Sequence, residues 1–107
     1  DISTNLYLGA ALMLAAGLEG IREELDPGDP HTENMYTYSL DELNTMGIDL
    51  LPRTLGEAIA AFAADPLSKD VFGPLMFDAY VEYKQQEWED YHNHVSDWEV
   101  QRYLKFF

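Results

Sequence analysis

Apolar residues crowd the start of the chain, where Leu6, Leu8, Ala10, Ala11, Leu12, Met13, Leu14, Ala15, Ala16 and Leu18 leave no polar face over four helical turns. The pattern predicts a helix over residues 6–25, and a helix apolar all round must be covered on every side. Only its last turns, with Glu19, Arg22, Glu23 and Glu24, suit solvent, and Pro27 with Gly28 supplies a stop. Residues 26–38 are turn formers and polar groups without a period, which reads as a loop. Ser39 and Glu42 then stand at capping-box spacing and start a short helix that ends at Gly47. A second connector covers residues 48–53.

Thr54 and Glu57 repeat the capping-box spacing, and Leu55, Ala58, Ile59 and Phe62 form one apolar stripe. This helix stops before Asp65 and Pro66. Ser68 is predicted to cap one further turn through Phe72, ended by Gly73 and Pro74. The longest amphipathic segment follows over residues 75–92, with Phe77, Tyr80, Val81, Lys84, Trp88 and Tyr91 on one broad stripe and Glu82, Gln85, Gln86 and Glu89 elsewhere. Ser96 caps the last helix, with Glu99 at the box position and Val95 placed to staple onto Val100. No segment alternates as a strand does, and no internal repeat or low-complexity tract interrupts the series. The prediction is an all-α chain of several packed helices. At 107 residues it suits one core, burying a little over ~60% of the surface that the unfolded chain exposes.

Charge narrows the partners. Six basic residues stand against twenty acidic ones, a formal charge of −14, which repels phosphate backbones and anionic lipid heads. The absence of cysteine removes disulfides, thiolate metal sites and a cysteine nucleophile together, and fits a cytoplasmic setting. The longest apolar run, Leu6 to Leu18, has thirteen residues. That is short of the ~18 needed to span a bilayer, so it reads as a buried core helix. No positive charge precedes it, which argues against a secretory signal. Because the chain opens at Asp1 and runs almost at once into this helix, further sequence is expected upstream.

Candidate chemistry is sparse. The histidines are His31, His92 and His94. Residues two apart on a helix point away from each other, so His92 and His94 could share an ion only if the helix ended between them, and they read first as solvated helix-end histidines favoured by the C-terminal dipole. Glu89 and His92 have the Glu-x-x-His spacing of carboxylate-bridged di-iron bundles, but those sites need two such pairs plus two further glutamates. The acidic group Asp26, Asp29 and Glu33 lacks the ligand order of a calcium loop. No phosphate-cradling glycine loop, nucleophile elbow or Ser/His/Asp order is present. Tyr80, Trp88, Tyr91, Trp98 and Tyr103 at helical spacing read first as core. The ending Tyr103, Leu104, Lys105, Phe106, Phe107 is costly to leave in water and is expected to dock against something.

Six segments carry a resemblance. They are Asp1 with Asn5 Leu6 Tyr7 Leu8; Gly17 Leu18 Glu19 Gly20 Ile21; Asp26 Pro27 Gly28 Asp29 Pro30; Asn34 Met35 Tyr36; Leu51 Pro52 Arg53 Thr54 Leu55 Gly56 Glu57 Ala58; and Val95 Ser96 Asp97 Trp98 Glu99 with Arg102 Tyr103 Leu104. In this order and spacing the chain resembles the C-terminal helical region of glutamine synthetases over nearly all its length. The resemblance implies helices packed against a larger sheet-bearing catalytic domain. It also implies a parent enzyme that phosphorylates the side-chain carboxylate of glutamate with ATP, using magnesium or manganese, before ammonia displaces phosphate. The nearest catalytic Glu and Arg of the family would lie just before Asp1. No catalytic, cofactor-binding or metal residue is therefore assigned here, and the isolated piece is expected to be inactive.

By the same resemblance the parent is a homo-oligomer whose tail reaches a neighbouring subunit, which makes Trp98, Tyr103, Leu104, Phe106 and Phe107 candidate subunit contacts. Tyr36 falls where some bacterial members carry an adenylylated tyrosine, and is a candidate modification site; the plainer role is to anchor its loop. The sequence also departs from the family. Leu6 stands where the family usually has proline, and the connector over residues 37–53 varies widely among members. The ending at Val95 to Glu99 looks more like the branch that includes γ-glutamylmethylamide and related γ-glutamyl-amine ligases, which leaves ammonia, methylamine and other amines open as nitrogen donor. The rival reading is a stand-alone acidic helical module that recognises a basic or apolar partner through residues 75–107.

Overall fold

The computed structural model describes residues 3–106, and every regular element among them is helical. The all-α expectation holds. The chain divides into two compact units between Arg53 and Thr54.

In the first unit, α1 spans Leu6–Arg22. It starts because Asn5 Oδ1 accepts from the backbone N–H groups of Tyr7 (3.0 Å) and Leu8 (3.2 Å), two donors with no partner inside the helix. Leu6 takes the first helical position, where proline is also favoured because its missing N–H is not needed. The departure from the family's proline is thus neutral for the start of the helix. The end comes three residues before the predicted one. Glu24 adopts φ 51°, Leu25 N donates to Gly20 O (3.0 Å), and Glu24 N donates to Ile21 O (3.4 Å). This pair of bonds is a Schellman ending, which usually has glycine at the left-handed position. It turns the chain before Pro27 is reached.

No residue of α1 is buried. Leu6 and Met13 are each 79% exposed, and Ile21 is 75% exposed. Within the predicted loop, Met35–Thr37 forms one 3-10 turn behind Asn34. Next, α2 spans Leu40–Thr45 behind a complete capping box: Ser39 N donates to Glu42 Oε2 (2.7 Å) and Glu42 N donates to Ser39 Oγ (3.4 Å). A second Schellman ending closes it, here with Gly47 at φ 71° and Ile48 N donating to Leu43 O (3.0 Å). Leu43 is buried.

The second unit opens with α3, Leu55–Ala64, where Thr54 Oγ1 accepts from Glu57 N (3.1 Å). Helix α4 spans Pro66–Phe72 and corrects the sequence reading: its cap is Asp65, whose Oδ1 accepts from Leu67 N (2.9 Å), and Ser68 lies buried inside the helix. Aspartate followed by proline is the stronger start, since Pro66 already holds a helical φ at the first position. Gly73, at φ 70°, both ends α4 and precedes α5, Pro74–His92. A positive φ there lets one residue separate two helices. Ser96 and Glu99 then build a second complete capping box on α6, Asp97–Tyr103, followed by a 3-10 turn at Leu104–Phe106.

Helices α3, α4 and α5 pack on one another. Phe62 of α3 sits at the centre, with ring centroids 5.2 Å from Phe72 of α4 and 5.6 and 5.5 Å from Phe77 and Tyr80 of α5. Such aromatic pairs contribute about 0.5–1.5 kcal/mol each beyond the area they bury. Ile59 and Phe77 are buried beside them. The predicted stripe on α5 holds as far as Trp88, but Tyr91 is exposed. Length explains the difference. Ten residues of α3 face nineteen of α5, so the last turn of α5 outruns the helix that covers it.

The capping boxes give the fold a pH dependence. Hydrogen bonds from the Ser39 side chain, and then its backbone N–H, hold the Glu42 carboxyl below its ordinary value. The Ser96 backbone N–H, then its hydroxyl, do the same for Glu99, with a smaller contribution from His94. A pKa lowered by folding stabilises above the unfolded value and is lost as pH falls through the folded one. Replacing both residues in E42Q/E99Q, which keeps an acceptor but removes the titration, is expected to flatten the loss of urea stability between neutral and acid pH. Identical slopes for wild type and variant would contradict this role.

Candidate functional site

Three surfaces gather the residues that the sequence singles out. Tyr36 lies in the 3-10 turn of the first unit, its N–H held by Asn34 Oδ1 (3.2 Å) while Thr37 Oγ1 donates to Asn34 O (2.8 Å). The turn is fixed by its own side chains, and the Tyr36 side chain is 98% exposed. Asn34 holds the backbone of this turn, and the Tyr36 phenol is left to solvent among the described residues.

The second surface is the end of the chain. Trp98 and Tyr103 of α6 meet edge to face, with centroids 6.1 Å apart at 89°. Both remain more than half exposed, and so do Leu104 and Phe106. Four large apolar side chains in one short segment are open to solvent, whereas the plain reading of Trp98 and Tyr103 as core residues requires them to be covered. Phe107 lies outside the described residues.

The third surface is a groove of about 640 Å³ between α3 and α5, walled by Gly56, Ile59, Ala60, Ala63 and Trp88, with Glu57 and Glu89 also lining it. Gly56 is the residue that sequence reasoning passed over. A Cβ built on it would lie 2.9 Å from Trp88 Cε2 and 3.1 Å from Trp88 Nε1, so the indole lies directly against the α3 backbone. The available signal was a glycine inside an otherwise helix-favouring stripe, which marks close approach. Trp88 in turn stacks on His92, with centroids 5.1 Å apart and planes 23° from parallel. On the neighbouring face Lys84 Nζ lies 2.6 Å from Glu87 Oε2, 5.9 Å from the Tyr80 ring centroid and 5.4 Å from that of Tyr83. The hydrogen bond to Glu87 raises the Lys84 pKa, so the ammonium is firmly charged.

Among the described residues no three His, Asp or Glu side chains converge as a group that could hold a metal ion. Nor, among the described residues, is any helix long and apolar enough to cross a membrane. The geometry defines an all-α, acidic chain with one packed three-helix unit and broad uncovered apolar faces.

Comparison with known proteins assigns that chain to a family. The model of the glutamine synthetase catalytic domain matches residues 1–103. A glutamate–methylamine ligase of Methyloversatilis universalis is 45% identical over 107 residues, all of this chain and 24% of the relative. Glutamine synthetases of Halobacterium salinarum and Archaeoglobus fulgidus are each 41% identical, over 100% and 97% of this chain and 24% and 21% of their own lengths. The chain belongs to the glutamine synthetase catalytic-domain family, and it spans about a quarter of the length of the curated relatives it matches.

The Gly56 contact is directly testable. Gly56→Ala gains about 0.5–1 kcal/mol of helix propensity, but overpacking against the indole costs about 1–3 kcal/mol. The expected outcome in a W98F background, where Trp88 alone reports, is net destabilisation with a shift in tryptophan emission. A stabilised variant with unchanged emission would show that Trp88 moves aside freely.

Proposed function

We propose that this chain is the C-terminal helical region of an ATP-dependent glutamate ligase, which supports the catalytic domain and supplies subunit contacts. The observation that carries the proposal is the match of the whole chain to about a quarter of ligases named for glutamate chemistry. The uncovered α1 adds support, because a helix apolar all round needs cover that the described residues do not give it. In the proposed reaction the γ-carboxylate oxygen of glutamate takes the terminal phosphoryl group of ATP and ADP leaves. An amine then attacks the acyl carbon, phosphate departs, and the amine gives up a proton. Carboxylate becomes an acyl donor only after this activation, and magnesium or manganese would supply charge neutralisation during transfer. Nucleotide and metal belong, on this reading, to residues of the parent outside this chain. A cytoplasmic enzyme is part of the same proposal.

The direct test is phosphate release by the full-length parent with glutamate and ATP, comparing ammonia, methylamine and longer amines, alongside the 107 residues alone. Amine-dependent release by the parent and none by the isolated chain is expected. Turnover by the isolated chain would overturn the placing of the chemistry outside it; silence of a well-folded parent with every amine would overturn the ligase reading and favour a stand-alone acidic interaction module.

Subunit contact is assigned to Trp98, Tyr103, Leu104 and Phe106, and with them Phe107. Truncating a central aromatic anchor costs about 2 kcal/mol or more, roughly thirtyfold in affinity. Sedimentation of the parent carrying W98A or F106A is expected to show dissociation at concentrations where the wild type stays assembled. Unchanged assembly in both variants would remove the tail from the interface.

Tyr36 is proposed as a site of adenylylation, its phenolic oxygen attacking the α-phosphorus of ATP with loss of pyrophosphate and a proton, catalysed by a nucleotidyltransferase. Its exposure on a turn held by Asn34 supports this. Intact-mass analysis of the parent purified from its own cells is expected to show one AMP adduct that Y36F abolishes; an adduct persisting in Y36F would place the modification elsewhere.

A further inference from the structure

We draw no further inference here: the strongest candidate, the groove between α3 and α5 walled by Gly56, Ile59, Ala60 and Trp88, carries nothing because nothing in the structure shows what covers it.

Discussion

The constraint on which the rest depends is that this sequence carries more apolar surface than its own described residues cover. Leu43, Ile59 and Phe77 are the buried hydrophobic residues among those described, while α1 buries none. Fully covering a Leu or Ile is worth about 1.5–3 kcal/mol relative to leaving it in water. Leu6, Met13, Leu14 and Ile21 leave most of that gain unused. Fixing each backbone residue costs about 1–2 kcal/mol of entropy, so a helix without burial depends on contacts made elsewhere to persist. Membership of a family whose curated relatives are about four times as long gives a physical reason for such surface: a helix of this kind suits the interior of a larger domain.

The second unit obeys the opposite rule and builds its packing locally. Phe62 receives a ring from α4 and two from α5, so one side chain ties three helices together. Gly73 allows the chain to leave α4 and enter α5 with a single intervening residue, which sets Phe72 and Phe77 on opposite sides of the turn and both within reach of Phe62. Farther along α5, the missing side chain of Gly56 lets Trp88 lie against α3. Beyond that point along α5 lies only the N-terminal end of α3, and Tyr91 is left to solvent. The lengths of two helices thus decide which aromatics are core and which are surface.

Much of this was legible in the sequence because helix starts are written in local chemistry. Ser39, Thr54 and Ser96 each accept from the N–H three residues on, as their capping-box spacing to Glu42, Glu57 and Glu99 indicated, while the Asn5 cap of α1 was not singled out beforehand. The misses have equally local causes. Ser68 resembles a cap, but Asp65 with Pro66 starts the helix sooner. The end of α1 was hidden because its left-handed residue is Glu24, and glutamate does not advertise a positive φ as Gly47 does. The exposure of Tyr91 and Trp98 depends on what stands opposite them, and periodicity along one helix carries no record of that. Tyr36 and the aromatic tail could be named from the family resemblance, yet their exposure required coordinates.

These two kinds of order bear on how such a chain would serve a ligase. The side-chain caps on α1, α2, α3, α4 and α6 satisfy N-terminal donors without contacts to any other helix. Helix starts defined in this way reduce the ordering that remains when apolar faces are covered, and a docking surface whose elements are already formed loses less entropy on association. The high negative charge works in the same direction. With twenty acidic residues against six basic ones, self-repulsion opposes random collapse of the exposed leucines and aromatics onto other copies, while close-packed apolar contact with a complementary surface still stabilises. An acidic, locally capped set of helices with exposed apolar faces is therefore consistent with the proposed support role, in which specificity would come from the fit of the surface that covers those faces.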